Sequence, residues 1–306
     1  MTSVSLTKIH SKVNWQHKMQ HHALPVPLLV ILLVINRVSS SSSSSCPNYT
    51  WTPPGLPARS LSSDLTSNSP KSKLHQLGGP QFDKKYANTA DYWDERYTRG
   101  DAKHGYSADS GSGSRGKLAH WKAKVMNAFV KRNKINKVVD FGCGDGNQLS
   151  LSKYKLYTGL DVSKIAVQRL AQRYAHDWRK RFVWYDGTRR SLTSDTDGSL
   201  LRSDMTMSME VIFHLTDADI FQHYMELLFD VSKRYVVILS NSPPVNENCV
   251  SGVCFSDTSH VRYWSVVAWV DQYRSDEWEL VGTLRHKYVK EAWSDFYFYA
   301  RKDNCV

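Results

Sequence analysis

The chain has 306 residues, with 40 Lys and Arg against 29 Asp and Glu and a formal net charge of +11. That length holds one large α/β domain with extensions, or two small domains. Seven basic residues and a single acid, Asp64, fall within residues 1–81, so +6 of the charge lies there and +5 on the remainder. The basic balance therefore describes the N-terminal segment, and nucleic acid is not expected as a partner of the folded body.

The first segment, residues 1–45, reads as a targeting or signal-anchor segment. It contains Ala23 to Ile35, ALPVPLLVILLVI, an almost wholly apolar run flanked by lysines before and Arg37 after. A bilayer-spanning helix needs about 20 apolar residues, whereas a secretory signal core needs roughly 7 to 15. The run fits a signal peptide or a short anchor, with membrane association through residues 23–38 and the secretory pathway as destination. A two-part organellar targeting peptide is the alternative, because the stretch that follows is rich in Ser and poor in acids. Asn48-Tyr49-Thr50 is a glycosylation sequon suited to a lumenal stem.

Residues 46–89 read as a Ser/Pro-rich linker and residues 90–306 as the folded domain. Five cysteines, Cys46, Cys143, Cys249, Cys254 and Cys305, are too few for a disulfide scaffold. Cys249 and Cys254 form a local disulfide or remain two thiols; their spacing does not make a zinc site, and no metal is expected.

Within the domain, ADYWDERYTRG predicts a short helix and residues 117–135 a longer amphipathic one, with Leu118, Trp121, Val125, Phe129 and Val130 on one face. SADSGSGSRG, residues 107–116, separates them and reads as a mobile lid. Strands are predicted at KVVDFG, LYTGLDV, RFVWYDG, DMTMSM and RYVVILSNS. Helices are predicted at 163–178, opened by Ser163 as N-cap, at 217–232, and at 261–273. Residues 278–289 and 295–303 pair as closing strands. Strict alternation with continuous apolar strands predicts a parallel sheet covered on both faces, with an antiparallel hairpin at one end.

The chemistry concentrates in VVDFGCGDGNQL. Gly142, Gly144 and Gly146 are spaced G-x-G-x-G, which does not meet the dinucleotide fingerprint G-x-G-x-x-G. Asp161, closing the second strand, is placed for a ribose diol. Asp140 and Asp145 flank the glycines, and two carboxylates repel a pyrophosphate but attract an ammonium or a sulfonium. S-adenosyl-L-methionine carries both.

On these residues, and on the ordered blocks YWDERY, SGSGSRGKLAHWKAKVMNAFV, SMEVIFHLTD, YMELLF, HVRYWS and SDFYFY, the chain resembles class I S-adenosylmethionine-dependent methyltransferases, in particular a bacterial-type family with poorly defined acceptors. The resemblance covers about residues 90 to 303. It implies a Rossmann-like fold with a mostly parallel seven-stranded sheet, helices on both faces and an antiparallel terminal hairpin. It also implies Asp140, Gly142, Gly144 and Gly146 around the methionine moiety, Asp161 on the ribose, Val162 against the adenine and Asp186 on its amino group.

Catalytic candidates follow the fourth strand. Glu210 and His214 are four residues apart, and in a helical turn they share one face and a substrate proton. His260 and Arg262 in HVRYW are candidates for acceptor binding. Tyr263 and Trp264 stand there in place of a second His and an Arg of the family pattern, which changes what that pocket binds. The expected acceptor is a hydroxyl of a small molecule or glycan. The competing readings are a catalytically silent cofactor-binding scaffold and, disfavoured by the glycine spacing, a nicotinamide dehydrogenase.

Overall fold

The computed structural model describes residues 89–99, 108–188, 192–193, 200–241, 249–250, 253–255 and 261–304. The targeting segment, the sequon, all of the linker except Thr89, and His260 lie outside the described residues.

Helix α1 (Thr89–Arg99) is followed by a 3₁₀ turn at Ser112–Ser114 and helix α2 (Gly116–Arg132). The sheet then alternates with helices. Strand β1 (Lys137–Phe141) leads to the short α3 (Asn147–Ser150), and β2 (Leu156–Asp161) leads to α4 (Lys164–Arg173). Next come β3 (Lys180–Trp184), β4 (Ser203–Met209), α5 (Ala218–Asp230) and β5 (Ser232–Asn241).

Three short strands follow, β6 (Cys249–Val250), β7 (Val253–Phe255) and β8 (Arg262–Trp264). Helix α6 (Val266–Tyr273), β9 (Trp278–Leu284) and β10 (Ser294–Arg301) complete the domain. Among the described residues no helix is long and apolar enough to cross a membrane.

The main sheet has seven strands in the order β3-β2-β1-β4-β5-β10-β9. Pairings from β3 through β5 are parallel, and β10 runs antiparallel to both β5 and β9. This is the Rossmann-like arrangement with a terminal antiparallel hairpin that the sequence implies. Alternate residues feed opposite faces: Val236 and Ile238 enter one buried cluster, Val237 and Leu239 the other. Each fully buried side chain of this size contributes about 1.5–3 kcal/mol, so two apolar layers clamp the sheet and fix its strand ends.

Caps set the helix starts. Ser163 Oγ accepts from Ala166 N at 3.2 Å, and the Asp217 carboxylate accepts from Asp219 N and Ile220 N at 2.8 and 3.0 Å. Two expectations need correction. The helix expected over 163–178 ends at Arg173, where a turn closed by Asp177 leaves Trp178 80% exposed. The segment expected as one helix over 261–273 is split into β8 and α6, because Ser265 caps α6 through Ala268 N and Arg262–Trp264 pairs with β7. The resulting three-stranded sheet, β6-β7-β8, places Cys249 opposite Cys254 in its backbone register.

Candidate active site

The sheet order reverses between β1 and β4. In open α/β sheets the crevice outside the carboxyl ends of the strands at such a point receives the ligand. A cavity of about 530 Å³ opens there, a volume suited to a small organic molecule. Reading across the strand ends β3, β2, β1 and β4, its lining includes Asp186, Asp161, Asp140 and Glu210 in turn.

The glycine turn leaves β1 with Gly142 N and Cys143 N both donating to Leu160 O, at 2.8 and 3.0 Å, which ties it to β2. Gly142 and Gly144 have φ of 87° and 59°. Side chains there would also collide, at Gly142 with Val211 and at Gly144 with the Ser110 hydroxyl. The turn is bare because protein packs against it. Cys143 sits over Gly159 of β2, where an added Cβ would lie 2.8 Å from its sulfur.

Asp161 is buried, and each of its carboxylate oxygens accepts a backbone amide, from Gly144 at 2.8 Å and Ser163 at 2.9 Å. Burial raises its pKa to about 6, against the lowering effect of those amides. Asp140 is also buried; Oδ2 accepts from the Tyr157 hydroxyl at 2.7 Å, while Oδ1 has no hydrogen-bond partner. Burial raises its pKa to about 7, opposed by the Tyr157 bond and augmented by the Asp161 charge.

Asp186 Oδ1 accepts from Thr188 N and Oγ1, both at 3.0 Å, so it closes a turn and lines the cavity at once. Val162 lines the same end, and its carbonyl accepts from Trp184 Nε1 at 3.0 Å.

Asp145 departs from the sequence argument. Its carboxylate is taken by the Arg115 guanidinium, Ser110 N at 3.0 Å and Asn147 N at 2.9 Å. Burial pushes its pKa up, but those bonds outweigh burial and hold it below the usual carboxylate range. It fastens residues 108–115 over the turn. Arg96 of α1 reaches the same segment, donating to Asp109 O at 3.0 Å.

Glu210 and His214 both line the cavity but do not share a helical turn. Glu210 has φ 61°, a left-handed backbone costing about 1–3 kcal/mol in a non-glycine residue, and a separate 3₁₀ turn over Ile212–His214 carries the histidine. Glu210 Oε2 instead accepts from Lys122 Nζ at 2.7 Å. The His214 ring meets Trp93 edge-on, with centroids 5.1 Å apart.

Arg262 does not line the cavity. It is 1% exposed, donates from Nη1 to Thr216 O at 2.8 Å, and lies 4.4 Å from the Trp264 ring centroid. The Trp264 ring is itself stacked on Phe221, centroids 4.0 Å apart. Arg262 and Trp264 of the HVRYW block, read from sequence as acceptor-binding, here brace the loop after β4. An arginine followed by two aromatics looks the same in sequence whether it faces ligand or core.

Lys122 and Tyr97 line the cavity, Tyr157 holds Asp140 from behind it, and the sequence reading named none of the three. Lys122 had a signal: it falls within the stripe of Leu118, Val125 and Phe129, where a charged residue is out of place. The signal for Tyr157 was weaker, a polar hydroxyl inside an apolar strand.

No family model matches the chain, and no curated protein matches its sequence. Among solved structures the chain is similar to the N-methyltransferase NodS from Bradyrhizobium japonicum WM9 in complex with S-adenosyl-L-homocysteine, at 14% identity over 70% of this chain and 98% of that one, TM-score 0.47. It is also similar to CalS10, an amino pentose methyltransferase from Micromonospora echinaspora, at 11% identity over 61% and 93%, TM-score 0.45. A third similar structure is the methyltransferase domain of bacterial CtHen1-C, at 19% identity over 60% and 98%, TM-score 0.44.

Proposed function

We propose that the chain is an S-adenosylmethionine-dependent methyltransferase that acts on a hydroxyl of a small molecule or glycan. The observation that carries this is the unpartnered, buried Oδ1 of Asp140, which lines the cavity beside Asp161 and Asp186. An ammonium fits that oxygen, a ribose diol fits Asp161 and an adenine amino group fits Asp186, so the residues present suit this cofactor from end to end.

When bound, S-adenosylmethionine supplies a methyl group on a good leaving group. The protein's work is to align the acceptor and exclude water. Asp140 and Asp186 would hold the two ends of the cofactor with Asp161 on the ribose between them, and residues 108–115, fastened by Asp145, cover the turn. Glu210 and His214 stand beyond Asp140, on the β4 side where the acceptor enters, and Glu210 takes the hydroxyl proton.

Isothermal titration of the full chain tests the reading. S-adenosylmethionine is expected to bind and NAD not to; NAD binding in its place overturns the assignment. Asp161→Ala is expected to abolish binding, and unchanged affinity removes the site. Incubation with labelled S-adenosylmethionine and cell-extract fractions then separates an enzyme from a silent binder and finds the acceptor.

The apolar run Ala23–Ile35 supports placing the protein in the secretory pathway, with an organelle as the alternative. A glycosidase-sensitive mass shift lost in Asn48→Gln is the expected result. Recovery of the unglycosylated protein in an organellar fraction supports the alternative.

A further inference from the structure

Two costly features meet at the β4 side of the cavity. Lys122 is 2% exposed, on the apolar stripe of α2, and its one hydrogen-bond partner among the described residues is Glu210 Oε2 at 2.7 Å. Glu210 pays with a left-handed backbone for presenting its carboxylate there. A buried ion pair of this kind is weak evidence for stability, because apolar residues of the same volume usually do as well. A methionine at 122 would continue the stripe and anchor α2 without a charge.

The geometry of the two groups is suited to an oxygen nucleophile. An ammonium has three donors, and Glu210 takes one, leaving two on a group that lines the cavity. Glu210 has a second carboxylate oxygen beside them. Gly113 lies against the pair, since a Cβ there would sit 2.5 Å from Glu210 Oε2, so the covering segment confines the carboxylate. Behind them His286 is buried, with Nδ1 accepting from Tyr288 N at 3.0 Å and Nε2 unpartnered. The series Asp186, Asp161, Asp140, Glu210 places the pair past the methionine end of the cofactor.

We propose that Lys122 is the acceptor-binding residue, its free N–H groups holding the acceptor's hydroxyl oxygen while Glu210 receives the proton. This rests on the methyltransferase reading above. In the step, an oxygen lone pair forms the O–CH₃ bond, and the methyl–sulfur bond breaks with its electron pair passing to sulfur. The hydroxyl proton moves to the Glu210 carboxylate. The products are a methyl ether and S-adenosylhomocysteine, and Lys122 keeps its charge throughout, stabilising the developing oxyanion.

The full chain, loaded with S-adenosylhomocysteine, is titrated with phenol and with methyl glucoside by saturation-transfer NMR, and transfer to each is followed with labelled S-adenosylmethionine. At least one probe is expected to bind, phenol indicating an aromatic hydroxyl and methyl glucoside a sugar hydroxyl. Lys122→Met is expected to weaken probe binding at least tenfold, Lys122→Arg to recover part of it, and Glu210→Gln to retain binding while losing about 10²-fold or more in transfer.

Because Lys122→Met leaves Glu210 unpaired, the double variant Lys122→Met/Glu210→Gln, which removes both charges, is measured alongside. S-adenosylhomocysteine affinity is expected to stay within about twofold in all four, since losing one 1.4 kcal/mol contact would show as tenfold. Probe binding unaffected in the double variant, or no binding of either probe to a protein that does bind S-adenosylhomocysteine, overturns the proposal. Failure of the wild type to bind S-adenosylhomocysteine removes instead the cofactor reading on which it rests.

Discussion

Asp145 and Ser110 exchange hydrogen bonds: Ser110 N donates to Asp145 Oδ2 at 3.0 Å, and Asp145 N donates to Ser110 Oγ at 2.9 Å. The glycine turn and the segment covering it are thereby one assembly, closed further by Arg115 and by the Tyr97 hydroxyl 3.0 Å from Ser110 Oγ. Ser110→Ala removes two of these contacts, each worth about 0.5–1.5 kcal/mol net. A fall of about tenfold in S-adenosylmethionine affinity is expected by calorimetry, with faster amide exchange at 108–115.

Asp140 is expected to give cofactor binding a pH dependence. Its pKa of about 7 in the free protein lies above the ordinary 3.8, so between those values the folded chain holds a proton that the unfolded chain has lost. This group's contribution to stability therefore falls as pH rises from about 4 to 7. Binding runs the other way, because an ammonium requires the ionised carboxylate. S-adenosylmethionine affinity is expected to rise from pH 6 to pH 8 with proton release below pH 7, seen as a buffer-dependent binding enthalpy. Asp140→Asn is expected to flatten the profile.

Gly142→Ala combines two penalties, a positive φ and a collision with Val211. A loss of about 1–3 kcal/mol is expected from the backbone alone. Adding Val211→Ala relieves only the collision. The double variant should melt above Gly142→Ala and below Val211→Ala, and equal melting of Gly142→Ala and the double variant shows that backbone strain alone accounts for the loss.

Arg262 is expected to act on stability and not on ligand affinity. Arg262→Ala vacates a buried site and leaves the Thr216 carbonyl without its donor, a loss of about 2–4 kcal/mol from hydrogen bond and packing together. Denaturant unfolding should register it while S-adenosylhomocysteine affinity is retained. A folded variant with lost affinity would return Arg262 to the site.

The sheet was legible because its central strands are buried on both faces and read as apolar runs, continuous in Tyr235–Leu239 and broken in β1 only by Asp140. Ser163 was legible as a cap, and Asp140, Asp161, Val162 and Asp186 were legible as cavity residues because chain order puts them at the ends of consecutive parallel strands. What local pattern does not encode is the direction of a side chain. Asp145 follows Gly144, which lines the cavity, yet its carboxylate turns to Arg115, thirty residues earlier in the chain. Gly146, read from sequence as part of the cofactor turn, is not in the cavity lining and packs against Leu170 of α4. Glu210 was placed on a helical turn by its spacing to His214, whereas it has a positive φ and its carboxylate meets Lys122 and Gly113, partners distant in sequence. Ser265 carried the signal that separates β8 from α6, but the apolar residues on both sides of it masked the break.

The contact between Cys143 and Gly159 reaches beyond either residue. One belongs to the turn and the other to the middle of β2, two residues before Asp161, and the space between them admits one side chain. The two positions thus share a fixed volume, and bulk added at either pushes the turn off the neighbouring strand. Relatives that keep this turn should hold small residues at both places or exchange size between them. Cys143 is accordingly a spacer, which sets how far the glycine turn stands from β2 and the Asp161 that ends it.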